Sequence, residues 1–321
     1  MDNGEAVPLS KSQESTAPSA VPHPMIEGGK LMRTAAIASV CVASILIVMK
    51  FAAWLMTDSI SLMSTLIDSI LDAAASLVNL LAVHHALQPA DREHRFGHGK
   101  AEPLASLAQA AFICGSAAFL LVQAGERVAH PHAITNTDIG YIVMIISIFM
   151  TIILVAFQRY VVRKSGSVAI DADSLHYKTD VLINLGVMFS LFVSTSFGWR
   201  YADPIIAILI ALYIVKGAWG IGQTALAILM DRELEDDDRQ KIRKIVMAHS
   251  EVLGLHDLRT RSSGVHVFIQ FHLELDGDMR LKQAHDISEA VELELMEAFP
   301  NAEVIIHEDP EGVEEARAQF R

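Results

Sequence analysis

Six long apolar stretches fill the chain up to about position 230: Ala35 to Met56, Ser59 to Leu87, Leu104 to Val128, Ile139 to Phe157, Ser167 to Phe197 and Pro204 to Leu229. At about 20 residues or more, each can cross a hydrocarbon core of roughly 30 Å as a helix. The second and fifth break the pattern, because they enclose Asp68, Asp72 and Asn79, and His176, Lys178, Asp180 and Asn184. From Asp231 onward the periodicity is that of a small soluble domain. It predicts helices near Glu235 to His249 and Leu281 to Phe299, and strands near Leu255 to Arg261, Val265 to Leu275 and Glu303 to His307. In the middle strand Val267, Ile269, Phe271 and Leu273 face one way, and His266, Phe268, Gln270, His272 and Glu274 the other. One face is built to pack under helices, and the other carries histidine.

The predicted fold is therefore an α-helical membrane protein with six transmembrane helices, followed by a C-terminal cytoplasmic α/β domain of order α-β-β-α-β, ferredoxin-like. The expected boundaries are a disordered tail over 1–30, the membrane domain over 31–230, the metal-binding domain over 231–310 and a flexible tail over 311–321. Residues 1–29 hold no apolar core segment of the kind a signal peptide needs. Lys30, Arg33, Arg92, Arg95, Lys100, Arg159, Arg163 and Lys164 flank one set of loops, whereas Arg127 and Arg200 flank the other. That asymmetry places both termini in the cytoplasm.

Composition agrees: 52% of residues are AVILMFWYC and the mean hydropathy is +0.35. The net charge of −13 is unevenly placed, with 16 acidic against 14 basic residues before Asp231 and 22 against 11 from it onward. An acidic chain with no basic stripe argues against nucleic acid as partner and for cations. Cys41 and Cys114 lie far apart in apolar runs, which indicates neither a disulfide framework nor a thiolate zinc site.

Asp68 and Asp72 share one helical face at a spacing of four, as do His176 and Asp180. At about 1.5 Å per residue, Asp68 lies roughly 13 Å from one membrane face and His176 at similar depth from the other. Both pairs thus meet near the midplane. Ionisable groups there cost about 2.5–3.5 kcal/mol each on insertion scales, and a shared dication offsets that. Three carboxylates and one imidazole suit Zn2+, with Fe2+, Mn2+ and Cd2+ as alternatives. The competing reading is that these groups only hydrogen-bond helices together. Lys178 projects away from His176 and is expected to be solvated or bonded to a carbonyl. Asp91, His94 and His98 have ligand-like spacing in the loop after the second span, and His256, His272, His285, His307 and Asp309 recur through the tail. By spacing alone the favoured reading of both sets is ordinary polar surface. The Gly97-x-Gly99-Lys100 run is not a Walker A loop, since His94 and Ala101 stand where Gly and Ser or Thr are required.

The stretches SISLMSTLIDSILD (59–72), LQPADREHRFGHGKAE (87–102), TIILVAFQRYVVR (151–163) and LHYKTD (175–180), with HDLRTR, FIQFHLE and VIIHEDP in the tail, resemble the cation diffusion facilitators. Within that family the bacterial zinc and ferrous-iron efflux proteins are most similar, from about Leu31 to Asp309. The resemblance implies a homodimeric metal/proton antiporter of the inner membrane, exporting Zn2+ and also Fe2+ or Cd2+. It assigns Asp68, Asp72, His176 and Asp180 to the transport site and Asp91, His94 and His98 to a loop site. It assigns His256, His272, His285, His307 and Asp309 to a binuclear regulatory site, with Zn2+ as the regulatory ion. Lys100 and Asp231 match a charge pair that links the two protomers, and Leu175 matches a hydrophobic gate. Two further classes are weighed. An intramembrane aspartyl protease needs a Gly-x-Gly-Asp context absent here, and a membrane metal sensor or scaffold would bind without transporting. The expectation is a transporter and not an enzyme.

Overall fold

The computed structural model describes residues 23–58, 60–129, 138–197, 199 and 201–312. Six long helices come first: α1 (His23–Thr57), α2 (Ile60–Ala86), α3 (Ala101–Ala129), α4 (Asp138–Ser165), α5 (Val168–Phe197) and α6 (Ala202–Leu229). Among the described residues α1 to α4 and α6 are long and apolar enough to span a membrane, and α5 carries Asp171, Asp173, Lys178 and Asp180 in its first half. It is nonetheless packed among α3, α4 and α6 as the sixth member. Large apolar side chains such as Val48, Leu55, Phe119, Phe149, Leu209 and Trp219 stand exposed around the bundle. Such a surface belongs against lipid, and the protein is a multi-pass membrane protein.

The tail contains α7 (Asp236–Val246), β1 (Gly254–Ser263), β2 (His266–Leu275), α8 (Leu281–Ala298) and β3 (Ala302–Pro310). The sheet order is β1-β2-β3, with β1 antiparallel and β3 parallel to β2. Ile269, Phe271 and Leu273 face a core completed by Ile242 and Val246 of α7 and Val291 and Leu295 of α8. The first turn of α7 carries Asp236, Asp237 and Asp238 and its last turn Arg243 and Lys244, each sign at the end of the helix dipole that favours it.

The structure differs from the expected boundaries in two places. Residues 23–30, expected in the disordered tail, are the start of α1. The Gly28–Gly29 pair does not break that helix, because it lets α1 pack against Leu87 after α2 and against Ser165 at the end of α4. α4 continues eight residues past Phe157, so Arg159, Arg163 and Lys164 are helical and not in a loop. The expected tails over 1–22 and 313–321, and the outer-loop histidines His130 and His132, lie outside the described residues.

The tail domain touches the membrane domain through the β1–β2 hairpin. Val265 joins a cluster with Met32, Ala35, Val83 and Val161. Gly264, at φ +62°, lies so close to Gly99 that a Cβ on it would stand 2.6 Å from the Gly99 carbonyl oxygen, and a Cβ on Gly99 would stand 2.0 Å from the Ser263 carbonyl oxygen. Only two glycines permit this approach. Beside it the Arg261 guanidinium lies over both Phe96, at 5.1 Å, and Phe268, at 4.7 Å, and Lys100 donates to Asp231 at 2.8 Å. The Lys100–Asp231 pair thus closes within one chain, joining the start of α3 to the end of α6.

Candidate metal centres

The first centre lies between α2 and α5. A spacing of four places Asp72 toward α5, and His176 and Asp180 toward α2; His176 Nε2 lies 3.1 Å from Asp72 Oδ1. One ligand atom from each of Asp72, His176 and Asp180 falls within 4.8 Å of the others, so the three groups converge on one point between the helices. His176 is buried and the two carboxylates partly so. Asp68 stands one turn away on α2, exposed and outside this trio, with its charge acting on both Asp72 and Asp180. Leu175 packs on Gly217 of α6 beside the centre.

A layer of polar groups fixes the ligands. Asp173, one turn before His176, is fully buried and accepts from Ser39 Oγ at 2.5 Å, Gln158 Nε2 at 2.7 Å and Gln109 Nε2 at 3.2 Å. Those donors come from α1, α4 and α3, so one carboxylate ties three helices to α5. Tyr177 bonds Ser76 of α2 at 2.7 Å and donates to the Ser39 carbonyl at 3.2 Å. Glu102, at the start of α3, accepts from Ser167 Oγ and from the Ala169 backbone N–H, which caps the α5 N-terminus. Lys50 of α1 donates to Ser69 Oγ at 2.6 Å and to the Thr65 carbonyl at 3.2 Å, with Asp72, Asp180 and Asp68 in its field. Lys178 donates to the Tyr213 hydroxyl of α6.

The second centre is the loop after α2. Asp91 accepts from the backbone N–H of His94 at 2.6 Å and of Glu93 at 2.9 Å. These bonds hold its carboxyl below the usual carboxylate range, His94 first among them, with the charges of His94 and His98 adding to the effect. Its two oxygens lie 3.4 Å from His94 Nδ1 and 3.3 Å from His98 Nε2. The His98 ring is buried and its Nδ1 has no hydrogen-bond partner among the described residues, so the three groups fit a cation better than they satisfy one another.

The third centre follows from strand register. His256 pairs with His272 and His272 with His307, so three strands place their histidines in one row; Asp309, two residues on, shares that face. Asp309 is 3% exposed, with Oδ2 2.8 Å from His272 Nδ1 and 3.1 Å from His256 Nε2, and Oδ1 3.2 Å from His307 Nε2. That Oδ1 is buried and has no well-formed hydrogen bond among the described residues. Register slips between His256 and Arg259, where Asp257 takes φ +48°, and the bulge leaves Asp257 4.0 Å from His272. His285, on α8, is not among the residues whose ligand atoms converge.

Spacing identified the Asp and His residues, but not the groups that hold them. Lys50 was detectable as the lone charge inside the first apolar stretch, Gln109 as an amide inside the third and Gln158 as one directly after the fourth. The Arg261–Phe96–Phe268 stack joins residues remote in sequence and left no local signal.

A helical bundle with buried carboxylate and imidazole at mid-depth, and a small sheet domain bearing a second carboxylate-histidine centre, defines a membrane transporter of metal cations. Residues 36–230 match the cation efflux transmembrane domain and residues 234–311 the cytoplasmic domain of cation efflux proteins. The chain belongs to the cation efflux, or cation diffusion facilitator, family. It is 47% identical to the cation-efflux pump FieF of Shewanella oneidensis over 88% of this chain and 95% of that one. It is 48% identical to the cation-efflux pump FieF of Yersinia pestis over 87% and 93%. The metal-bound C-terminal domain of the CzcD transporter from Thermotoga maritima is 27% identical over 26% of this chain and 100% of that one, with a TM-score of 0.24.

Proposed function

We propose that the chain exports Zn2+ from the bacterial cytoplasm across the inner membrane in exchange for protons, with Fe2+ and Cd2+ as further cargo. The observation that carries this reading is the convergence of Asp72, His176 and Asp180 between α2 and α5, with Asp68 one turn away. All four are the proposed cargo ligands. A dication binds only the deprotonated forms of these groups, so loading releases protons and protons returning to the ligands release the metal. Exchange then needs the site to open to one side at a time, by motion of α2 and α5 against the remaining helices. Both termini are assigned to the cytoplasm.

The tail is proposed to assemble two copies of the chain and to sense the same ion. Asp309 would bridge two ions, one held with His256 and His272 and the other with His307, with His285 a further ligand of that domain. Metal there neutralises part of the acidic surface and lets the paired domains approach, which biases the membrane domain. Asp91, His94 and His98 would hold an additional ion beside the hairpin contact.

Reconstituted vesicles with an imposed pH gradient test the exchange. Zn2+ flux should follow the direction and size of the gradient, and Asp180→Ala should abolish it while the chain stays folded. Flux indifferent to the gradient would overturn the proton coupling, and binding without flux would leave a metal-binding scaffold.

A further inference from the structure

A groove of about 360 Å³ opens toward lipid between α4 and α5. Its floor is apolar, made by Ile152, Val155 and Ala156 of α4 and Val181 of α5; its rim carries Arg159 and Arg163 of α4, and Lys178 lines it deeper, about 15 Å from the start of α5. We propose that this groove is a binding site for one anionic phospholipid, with an acyl chain on the floor and the phosphate between the cations of the rim.

Position is the first argument. Ser165 ends α4, and that end abuts the tail domain, because Val161 and Val162 pack in one cluster with Val265 of the hairpin. Arg163 is thus roughly 3 Å and Arg159 roughly 9 Å inside the helix end, at about 1.5 Å per residue. This is the depth of the headgroup region, which long cationic side chains reach by extending along the helix.

Charge is the second. Arg159 and Arg163 are four apart on one helical face, an arrangement of like charges that is unfavourable unless an anion lies between them. Among the described residues neither guanidinium takes part in an ion pair. Asp171 adds a carboxylate whose charge reaches Arg159 and Lys178, and Lys178 spends one donor on Tyr213. Both arginines line the groove, and the planar guanidinium fork matches a phosphate.

Shape is the third. Ile152, Val155 and Ala156 continue the same stripe of α4 below the arginines. The groove therefore changes from apolar to cationic along the bilayer normal, as a lipid does from chain to headgroup. A free phosphate would use the rim and ignore the floor, whereas a phospholipid needs both.

The test uses the full chain in detergent, offered equal phosphatidylglycerol and phosphatidylethanolamine, with retained lipid counted by native mass spectrometry. Phosphatidylglycerol should be preferred by about tenfold or more. Arg159→Gln with Arg163→Gln should remove the preference. Ala156→Trp, which fills the floor and leaves every charge in place, should lower retention of phosphatidylglycerol to the same extent; it also decides the matter alone if the double variant fails to insert. Lys30→Gln with Arg33→Gln, on α1, should change nothing. A wild-type preference kept by either groove variant, or lost in the α1 variant, overturns the site. Displacement of the lipid by inorganic phosphate at millimolar concentration would also overturn it.

Discussion

Lys50 donates to the Ser69 hydroxyl across the α1–α2 contact at 2.6 Å, and this holds an ammonium in the field of Asp68, Asp72 and Asp180. Its charge offsets the carboxylates when no metal is bound and competes with a metal that arrives. Lys50→Met should therefore tighten Zn2+ binding by about tenfold, or 1.4 kcal/mol, and slow release. Calorimetric titration beside vesicle flux reads both, and an unchanged affinity would reduce Lys50 to a tie between helices.

Asp173 gathers donors from α1, α3 and α4 onto α5. Asp173→Ala strands those buried donors, and each orphaned group is worth about 1–3 kcal/mol. A fall in the thermal midpoint in detergent is expected, smaller for Asp173→Asn, which keeps one acceptor.

Gly99→Ala forces a methyl into the Ser263 carbonyl oxygen. Overpacking of this kind typically costs about 1–3 kcal/mol, and here it should lift the hairpin off the membrane domain. Faster proteolytic cleavage between Met230 and Glu235, with the tail domain itself still folded, would report it.

Asp309→Ala removes the only described carboxylate that lies against His256, His272 and His307 together. Zn2+ at 100 times its dissociation constant stabilises a binding fold by about 2.7 kcal/mol, and this variant should lose most of the tail's share. His285→Ala, whose side chain is not in the converging group, should lose less. Equal losses would place His285 in the site.

Burial holds the His266 imidazole below its usual pKa, against the opposing charge of Glu303. Its folded value is thus lower than the unfolded value of about 6.5, so the stability it contributes is present above about pH 6.5 and is lost as pH falls through the folded value. His266→Gln should flatten the fall in melting temperature between about pH 7 and 5. An unaltered slope would remove His266 from the acid sensitivity of the domain.

The helices and the sheet were legible because their periods are strong: long apolar runs for α1 to α6, and strict alternation through β2. Ligand pairs four apart in α2 and α5 were legible for the same reason, since helical spacing converts directly into a shared face. The start of α1 was not legible because residues 23–30 hold no apolar run long enough to mark a span, while Leu87 and Ser165, against which its glycine pair packs, are remote in sequence. The division of the four proposed intramembrane ligands into a close trio and an outlying Asp68 depends on helix rotation, which no spacing encodes. The Arg261 stack and the Gly99–Gly264 approach arise only when two domains meet.

The histidine row of the tail sheet has one more consequence. Adjacent strands are held about 4.7–4.9 Å apart by their hydrogen-bond ladder, and His256, His272 and His307 each occupy the same rung. The separation of the imidazoles is therefore a property of the peptide backbone. Exchanging neighbouring side chains would change how strongly an ion is held, but not the span it must bridge. At the proposed tail site the sheet would act as a gauge, favouring ions whose size suits the spacing of its strands.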